Sequence, residues 1–391
     1  MRVLMFSWEF PPQVVGGLGR HVYELSRCMK AYGAEPHILI PRADGCPDYE
    51  VISGAHVYRV GTPASAAKNF KAWTFGFNRE IIRESVRLDQ LLGGFDLIHA
   101  HDWLVAYGAR SLKNVMQVPL VTTIHATEYG RNRGLHNRMQ KEIHDTEYNL
   151  TLDSQQVICC SEFMRLEIDS LFGINGERVS VIPNGVSMTD YSQVLDIGGI
   201  DIPGIDKNDR VIFFVGRLVP EKGVAGLIKA FARVVSEIDN AKLVIAGKGP
   251  QEKYLKTMVG ELELQEKVTF TGFVDDDQRD QIFSIAEVAV FPSLYEPFGI
   301  VALEAMASGT PVVVTDVGGL SEIIKDGLTG IKVPTADDEA LAGALIKLMQ
   351  DHALAETLCK NAHKVIKTQF SWDKIAQETV NVYKQTMQNW S

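Results

Sequence analysis

The chain reads as an α/β protein made of two doubly wound halves. Three observations predict this. Short apolar runs alternate with longer stretches of helical period, and several of those runs end in glycine- or proline-bearing loops just ahead of a helix. The pattern then restarts after residues 188–208, which are rich in glycine and aspartate and lack clear periodicity. At 391 residues the chain suits two domains of average size better than one. An apolar content of 46% with 23% charged residues is that of an ordinary globular protein. The formal net charge of −10 argues against nucleic acid as the main partner, yet a few local cations suffice for a small anionic ligand. Five scattered cysteines without a CxxC pair read as free thiols in a reducing, cytoplasmic setting. The start of the chain lacks a signal-peptide pattern, and no apolar run approaches the roughly 18 residues that span a bilayer.

Taken in order, residues 2–6 form a buried strand and residues 7–17 (SWEFPPQVVGG) a loop. Residues 18–32 have helical period, with Val22, Leu25 and Met29 on one face. A strand, a glycine-bearing loop and a helix form a phosphate-binding arrangement in many α/β folds, which makes Gly16 and Gly17 candidates. A plain tight turn is the competing reading, and GGLG is not the dinucleotide fingerprint. Residues 35–40 are a strand, 67–92 largely helix, and 96–100 a short strand ending in His99-Ala100-His101-Asp102-Trp103. Open parallel sheets place their sites at the carboxyl ends of strands. His101 and Asp102 are therefore candidates for a polar ligand, and Trp103 for stacking on a sugar. Asp102 as a helix N-cap competes with this. A metal on His99, His101 and Asp102 is a third reading, for which the sequence shows no second ligand cluster. Residues 118–124 are the next strand and put His125 at another such end. The basic stretch 131–138 (RNRGLHNR) reads as a mobile segment beside the site or as a solvated loop. Strands at 156–160 and 179–182, with Ser161 capping a helix between them, lead to Pro183-Asn184-Gly185-Val186, where the first half ends.

Residues 210–215 (RVIFFV) open the second half, followed by Arg217, Lys222 and a helix to about residue 236. A forked donor and a point charge flanking a helix start suit a diphosphate; a surface pair between Lys222 and Glu221 is the alternative. Strands at 242–246 and 268–271 end in Gly247-Lys248-Gly249 and Gly272-Phe273-Val274. The densest signal is residues 292–319, PSLYEPFGIVALEAMASGTPVVVTDVGG. An apolar run at 288–291 breaks at Pro292, a helix spans about 299–308, and a strand follows at 311–315. Seven residues separate Glu296 from Glu304, so one lies in the loop and the other about a turn and a half into the helix. Between them Phe298, Gly299, Ile300 and Val301 offer amides at a helix N-terminus, which favours an anion. The two glutamates can also be read as a capping carboxylate and a solvated helix residue. Residues 372–388 form a last helix, capped by Ser371, that could pack on either half.

Together GGLG, IPNGV, GRLVPEKG, the AGKGP and GF loops and EPFGIVALEAMASGTPVV resemble the retaining glycosyltransferases of family 4, over essentially the whole chain. The resemblance implies the GT-B fold, two Rossmann-like doubly wound domains facing each other across a cleft. Residues 1–190 would be the acceptor-side domain, 191–370 the nucleotide-sugar domain, and 371–391 a helix packing back on the first. SWEFPP…GGLGRHV, HAHDW and IHATEYGR are similar to the glycogen and starch synthase branch. Those synthases commonly carry a lysine ahead of GGLG where this chain has Val15, which leaves nucleotide and acceptor open. By resemblance, Arg217 and Lys222 neutralise the donor diphosphate, and amides around Gly16 and Gly17 and those of Phe298, Gly299, Ile300 and Val301 hold phosphates and sugar. Glu296 binds sugar hydroxyls, Glu304 the ribose, Lys248 and Val274 flank the base, and His125 and Asp102 contact the sugar and acceptor side. The reaction implied is transfer of α-glucose from ADP- or UDP-glucose to an α-glucan, with no cofactor and no required metal. A sucrose-phosphate, small-sugar or lipid-linked acceptor, a sugar-nucleotide epimerase and a non-catalytic sensor are the alternatives.

Overall fold

A computed structural model describes residues 1–14, 16–66, 69–187, 202 and 204–390. Val15 and most of the stretch 188–208 lie outside the described residues. The chain divides into two compact units, Met1–Asn184 with Trp372–Ser391, and Gly185–Ser371.

Among the described residues the first unit is built on eight strands: β1 (Arg2–Phe6), β2 (Glu35–Pro41), β3 (Tyr49–Ile52), β4 (Ala55–Val60), β5 (Leu97–His101), β6 (Leu120–Ile124), β7 (Gln156–Cys159) and β8 (Val179–Val181). Their order is β3-β4-β2-β1-β5-β6-β7-β8. All pairs are parallel except β3 with β4. Helices cover the parallel strands on both faces, which is why those strands read as continuous apolar runs. The hairpin β3–β4, with its exposed Tyr49 and Val51, escapes that pattern. Helix Gly17–Met29 buries Leu18, Val22, Leu25 and Met29 in a cluster that includes Trp372, Ile375, Val380 and Tyr383 of helix Trp372–Gln388. The last helix is thus part of the first unit's core. Tyr383 is fully buried and its hydroxyl meets His99 Nδ1 at 2.6 Å, so the helix brings its own polar partner with it. All five cysteines are free, with Cys159 and Cys160 buried.

Among the described residues the second unit has six parallel strands: β9 (Arg210–Val215), β10 (Ala241–Ala246), β11 (Val268–Gly272), β12 (Ala286–Phe291), β13 (Val312–Thr315) and β14 (Ile331–Val333). Their order is β11-β10-β9-β12-β13-β14. Helix Val224–Glu237 and helix Asp338–Gln350 pack over β9, β10 and β12 through Leu227, Ile228, Phe231, Leu341 and Leu345.

Both sheets reverse direction beside their first strand. β1 lies between β2 and β5, and β9 between β10 and β12. Connections leaving such neighbours go to opposite faces and leave a crevice at the carboxyl ends, where doubly wound sheets bind ligands.

Gly223 closes one of these strand-end loops. Its φ is +69°, and a Cβ there would fall 1.9 Å from the carbonyl oxygen of Pro292. Gly223→Ala is expected to lower the unfolding free energy by about 2 kcal/mol or more, because the clash adds to a left-handed backbone penalty of ~1–2 kcal/mol. Gly343→Ala, inside helix Asp338–Gln350 with open space around its Cβ, should instead raise it by about 0.5–1 kcal/mol. Urea titration of the two variants checks both signs.

Candidate functional site

In the second unit the loops after β9 and β12 are tied together, with the Leu294 amide donating to the Glu221 carbonyl at 2.7 Å. This brings Lys222 to Glu296. Nζ and Oε2 are 2.5 Å apart, and Ser293 Oγ donates to the same carboxylate oxygen at 3.1 Å. Glu296 is therefore not a helix cap. The N-cap of helix Ile300–Ala307 is Gly299, with no side-chain hydrogen bond to the helix. The surface pairing considered for Lys222 falls to Arg217, whose Nη2 lies 3.4 Å from Glu221 Oε1. With its side chain 44% exposed, Arg217 remains available to a ligand.

Glu304 is not a solvated helix residue either. It is 5% exposed and lies against Arg279, with Nη1 and Oε2 at 3.4 Å. Arg279 also contacts Asp276 at 2.8 Å and Asp280 at 2.7 Å. Burial works against its charge, but Glu304, Asp280 and Asp276 outweigh that and raise its pKa. The loops after β10 and β11 meet where Lys248 comes within 3.8 Å of the Cβ position of Gly272. Val274 follows, half-buried, beside a Phe273 that is 65% exposed.

In the first unit three imidazoles converge beside the β1/β5 reversal. His21 comes from helix Gly17–Met29, His101 from the end of β5, and His125 from the residue after β6. Ring centroids are 4.8 Å apart for His21 and His125, and 5.5 Å for each of the other two pairs. His21 Nδ1 donates to Asn184 Oδ1 at 2.6 Å, and one ring nitrogen of His101 meets one of His125 at 3.2 Å. His21 Nε2 and His101 Nε2 find no hydrogen-bond partner among the described residues. Burial drives these rings neutral. It lowers His21 to about 3, helped by His125, and His125 to about 3, helped by Arg131. His99 and His101 are also well below the usual histidine value.

The grouping of His99, His101 and Asp102 weighed for a metal does not form. His99 is taken up by Tyr383 and by Thr123 Oγ1 at 2.8 Å. Asp102 accepts from the His125 amide at 2.7 Å and makes no side-chain cap to the turn Trp103–Val105 that follows it. Its backbone φ is +59°, a region that favours glycine and is found at strained functional positions. Burial raises its carboxyl to about 6 against the pull of Arg131, 3.8 Å away. Arg131 lies in helix Glu128–Asn132, so the basic stretch does begin beside the site, in a helix and with an ion pair to Asp102. Trp103 packs edge-on to Phe70. The Gly16 amide, expected to face a phosphate, donates to Glu9 Oε2 at 2.9 Å, ahead of the helix that begins at Gly17.

Residues 200–365 match the family described as Glycosyl transferases group 1, and residues 15–190 match Glycosyltransferase Family 4. An uncharacterized glycosyltransferase from Methanocaldococcus jannaschii is 40% identical over 99% of each chain. The chain belongs to glycosyltransferase family 4. A glycogen synthase from Mycobacterium tuberculosis is 35% identical to this glycosyltransferase, over 98% of the present chain and 94% of its own. The solved structure of a sucrose-phosphate synthase from Thermosynechococcus elongatus matches it with a TM-score of 0.82 at 24% identity, covering 99% of each chain. The fold is GT-B, and the enzyme is a hexosyltransferase. No helix among the described residues is long and apolar enough to cross a membrane.

Three residues near the glycosyltransferase's candidate groups gave no signal of their own in the sequence. His21 sits two residues beyond GGLG and one turn into helix Gly17–Met29, a position from which a side chain can face the strand ends. Glu9 reaches the Gly16 amide across the loop that holds both, and Arg279 reaches Glu304 through a tertiary contact.

Behind the Asp102 cluster, Glu147 accepts from the Glu128 amide with both oxygens, at 3.0 and 3.1 Å. Burial pushes its carboxyl up to about 8, with the charge of Asp102 adding to the effect and the Glu128 amide opposing it. A folded pKa above the unfolded one means that the native state holds the proton. This stabilisation is complete below about pH 4.5 and is lost as the pH rises through about 8. The melting temperature of the wild type minus that of Glu147→Gln should therefore fall steadily between about pH 5 and 8. The buried histidines, common to both proteins, cancel in this difference. Calorimetry across that range checks it, and a flat difference contradicts the shift.

Proposed function

We propose that this glycosyltransferase moves α-glucose, with retention, from ADP- or UDP-glucose to an α-glucan. The observation that carries the reading is the Lys222–Glu296 pair beside Arg217 and the uncapped helix start at Gly299. A cation, a forked donor and a helix N-terminus on neighbouring strand ends form a site for a diphosphate joined to a hydroxylated sugar. The glycogen synthase among the relatives supports a glucan as acceptor.

Glycosyl transfer builds positive charge on the anomeric carbon and negative charge on the departing phosphate oxygen. Lys222 and Arg217 stabilise that oxygen as the bond breaks, without giving up a proton. The amides of Phe298, Gly299, Ile300 and Val301 hold the phosphates and the near edge of the sugar. Glu296 accepts from sugar hydroxyls while its other contacts, to Lys222 and Ser293, keep it in place. Glu304 accepts from the ribose, and Lys248 and Val274 flank the base. His125 and Asp102 serve the sugar and acceptor side, where neutral imidazoles suit hydroxyl groups. The acceptor oxygen attacks from the face the phosphate leaves, and the phosphate takes its proton. Neither a cofactor nor a metal ion is needed for this step.

Release of nucleoside diphosphate from a panel of ADP-, UDP- and GDP-sugars, with and without glycogen, tests the reading. Glycogen-stimulated release from one glucose donor, with label entering the polymer, is the expected result. Release that glycogen leaves unchanged would move the acceptor to a small sugar or a lipid. Lys222→Ala and Arg217→Ala should each lower kcat on the order of a hundredfold or more, like other groups that stabilise transition-state charge. Near-normal turnover in Lys222→Ala would remove the leaving-group role.

A further inference from the structure

We propose that Glu35, His37 and His56 bind a divalent transition-metal ion, with zinc as the representative ion. Glu35 and His37 are two residues apart on β2 and so share one face, while the parallel register sets His56 of β4 directly beside His37. The two imidazoles stack with centroids 4.5 Å apart and planes 5° from parallel. Both Nε2 atoms converge on a single oxygen, Glu35 Oε1, at 3.1 Å from His37 and 3.5 Å from His56. In a tetrahedral zinc site with bonds of about 2.0–2.1 Å, neighbouring ligand atoms stand about 3.3 Å apart. The two separations bracket that value, and all three ligand atoms lie within 4.8 Å of one another.

The far nitrogens are held as well. His37 Nδ1 meets the Tyr58 hydroxyl at 3.2 Å, and His56 Nδ1 meets the Tyr49 hydroxyl at 2.9 Å. Such partners fix ring orientation and tautomer in metal-ligating histidines. A cavity of about 880 Å³ is lined by all three residues and by both tyrosines, with room for water in a fourth position. Side-chain exposures of 47% for Glu35 and 27% for His56 give an ion a way in. Imidazole with carboxylate is a ligand set suited to zinc and its neighbours. Glu35 and His56 lie toward the amino ends of β2 and β4, so the ion would pin the outer strands of the first sheet and take no part in glycosyl transfer.

The test is titration of the chelator-stripped full chain with zinc chloride by calorimetry, and with cobalt(II) by visible absorption. The expected result is one equivalent bound, with a ligand-field spectrum from cobalt and a zinc-dependent rise in the unfolding midpoint. Affinity should fall at least tenfold in His56→Gln and in Glu35→Gln, and about tenfold in Tyr58→Phe. His56 is partly exposed, so His56→Gln should fold, and its unfolding midpoint without metal serves as the control. Equal zinc affinity in wild type and His56→Gln would overturn the proposal, as would absence of binding. Loss of binding in His21→Gln alone would also overturn it, moving the ion to the cluster of His21, His101 and His125.

Discussion

Strand order is the constraint on which the rest of this structure depends. In each unit the first strand lies inside the sheet, and the chain adds neighbours first on one side and then on the other. Loops that are far apart in sequence thereby end side by side. Lys222 and Glu296 are 74 residues apart and share a hydrogen bond because β9 and β12 are neighbours. Asp102 and His125 meet in the same way because β5 and β6 are neighbours.

The two units put different electrostatics at these strand ends. In the second, full charges stand close together: Lys222 with Glu296, Arg217 with Glu221, and Arg279 among three carboxylates. Such groups can change partners when a charged ligand arrives, because the ligand replaces one ion pair with another. In the first, burial has removed charge from the imidazoles, leaving directional hydrogen-bonding atoms beside the ion pair of Asp102 and Arg131. Such an environment suits hydroxyl groups better than phosphates.

The sequence made the elements legible wherever burial on both faces imposed an apolar run. The predicted strand at 210–215 and the helix at 372–388 coincide with Arg210–Val215 and Trp372–Gln388. The helix at residues 67–92 begins later, at Phe70 behind an Asn69 cap, because a pattern of periodicity does not locate a cap. The loop position of Glu296 and the helical position of Glu304 were legible from spacing, but their partners were not. Whether a glutamate faces Lys222 or Arg279 depends on which strands become neighbours, and periodicity carries no information about that. The same holds for His37 and His56, whose meeting requires β4, half of a hairpin too exposed on its outer strand to stand out.

The contact between Glu9 and the Gly16 amide bears on selectivity. A carboxylate of the chain itself already occupies the place where a free anion would gain most from the start of helix Gly17–Met29. A phosphate at this amide would have to displace that group, and a bare inorganic ion would bring nothing beyond the charge it replaces. A ligand that also engages hydroxyl-binding residues has further contacts to set against the exchange. For a ligand at this helix start, the internal carboxylate would act as a threshold that charge alone does not cross.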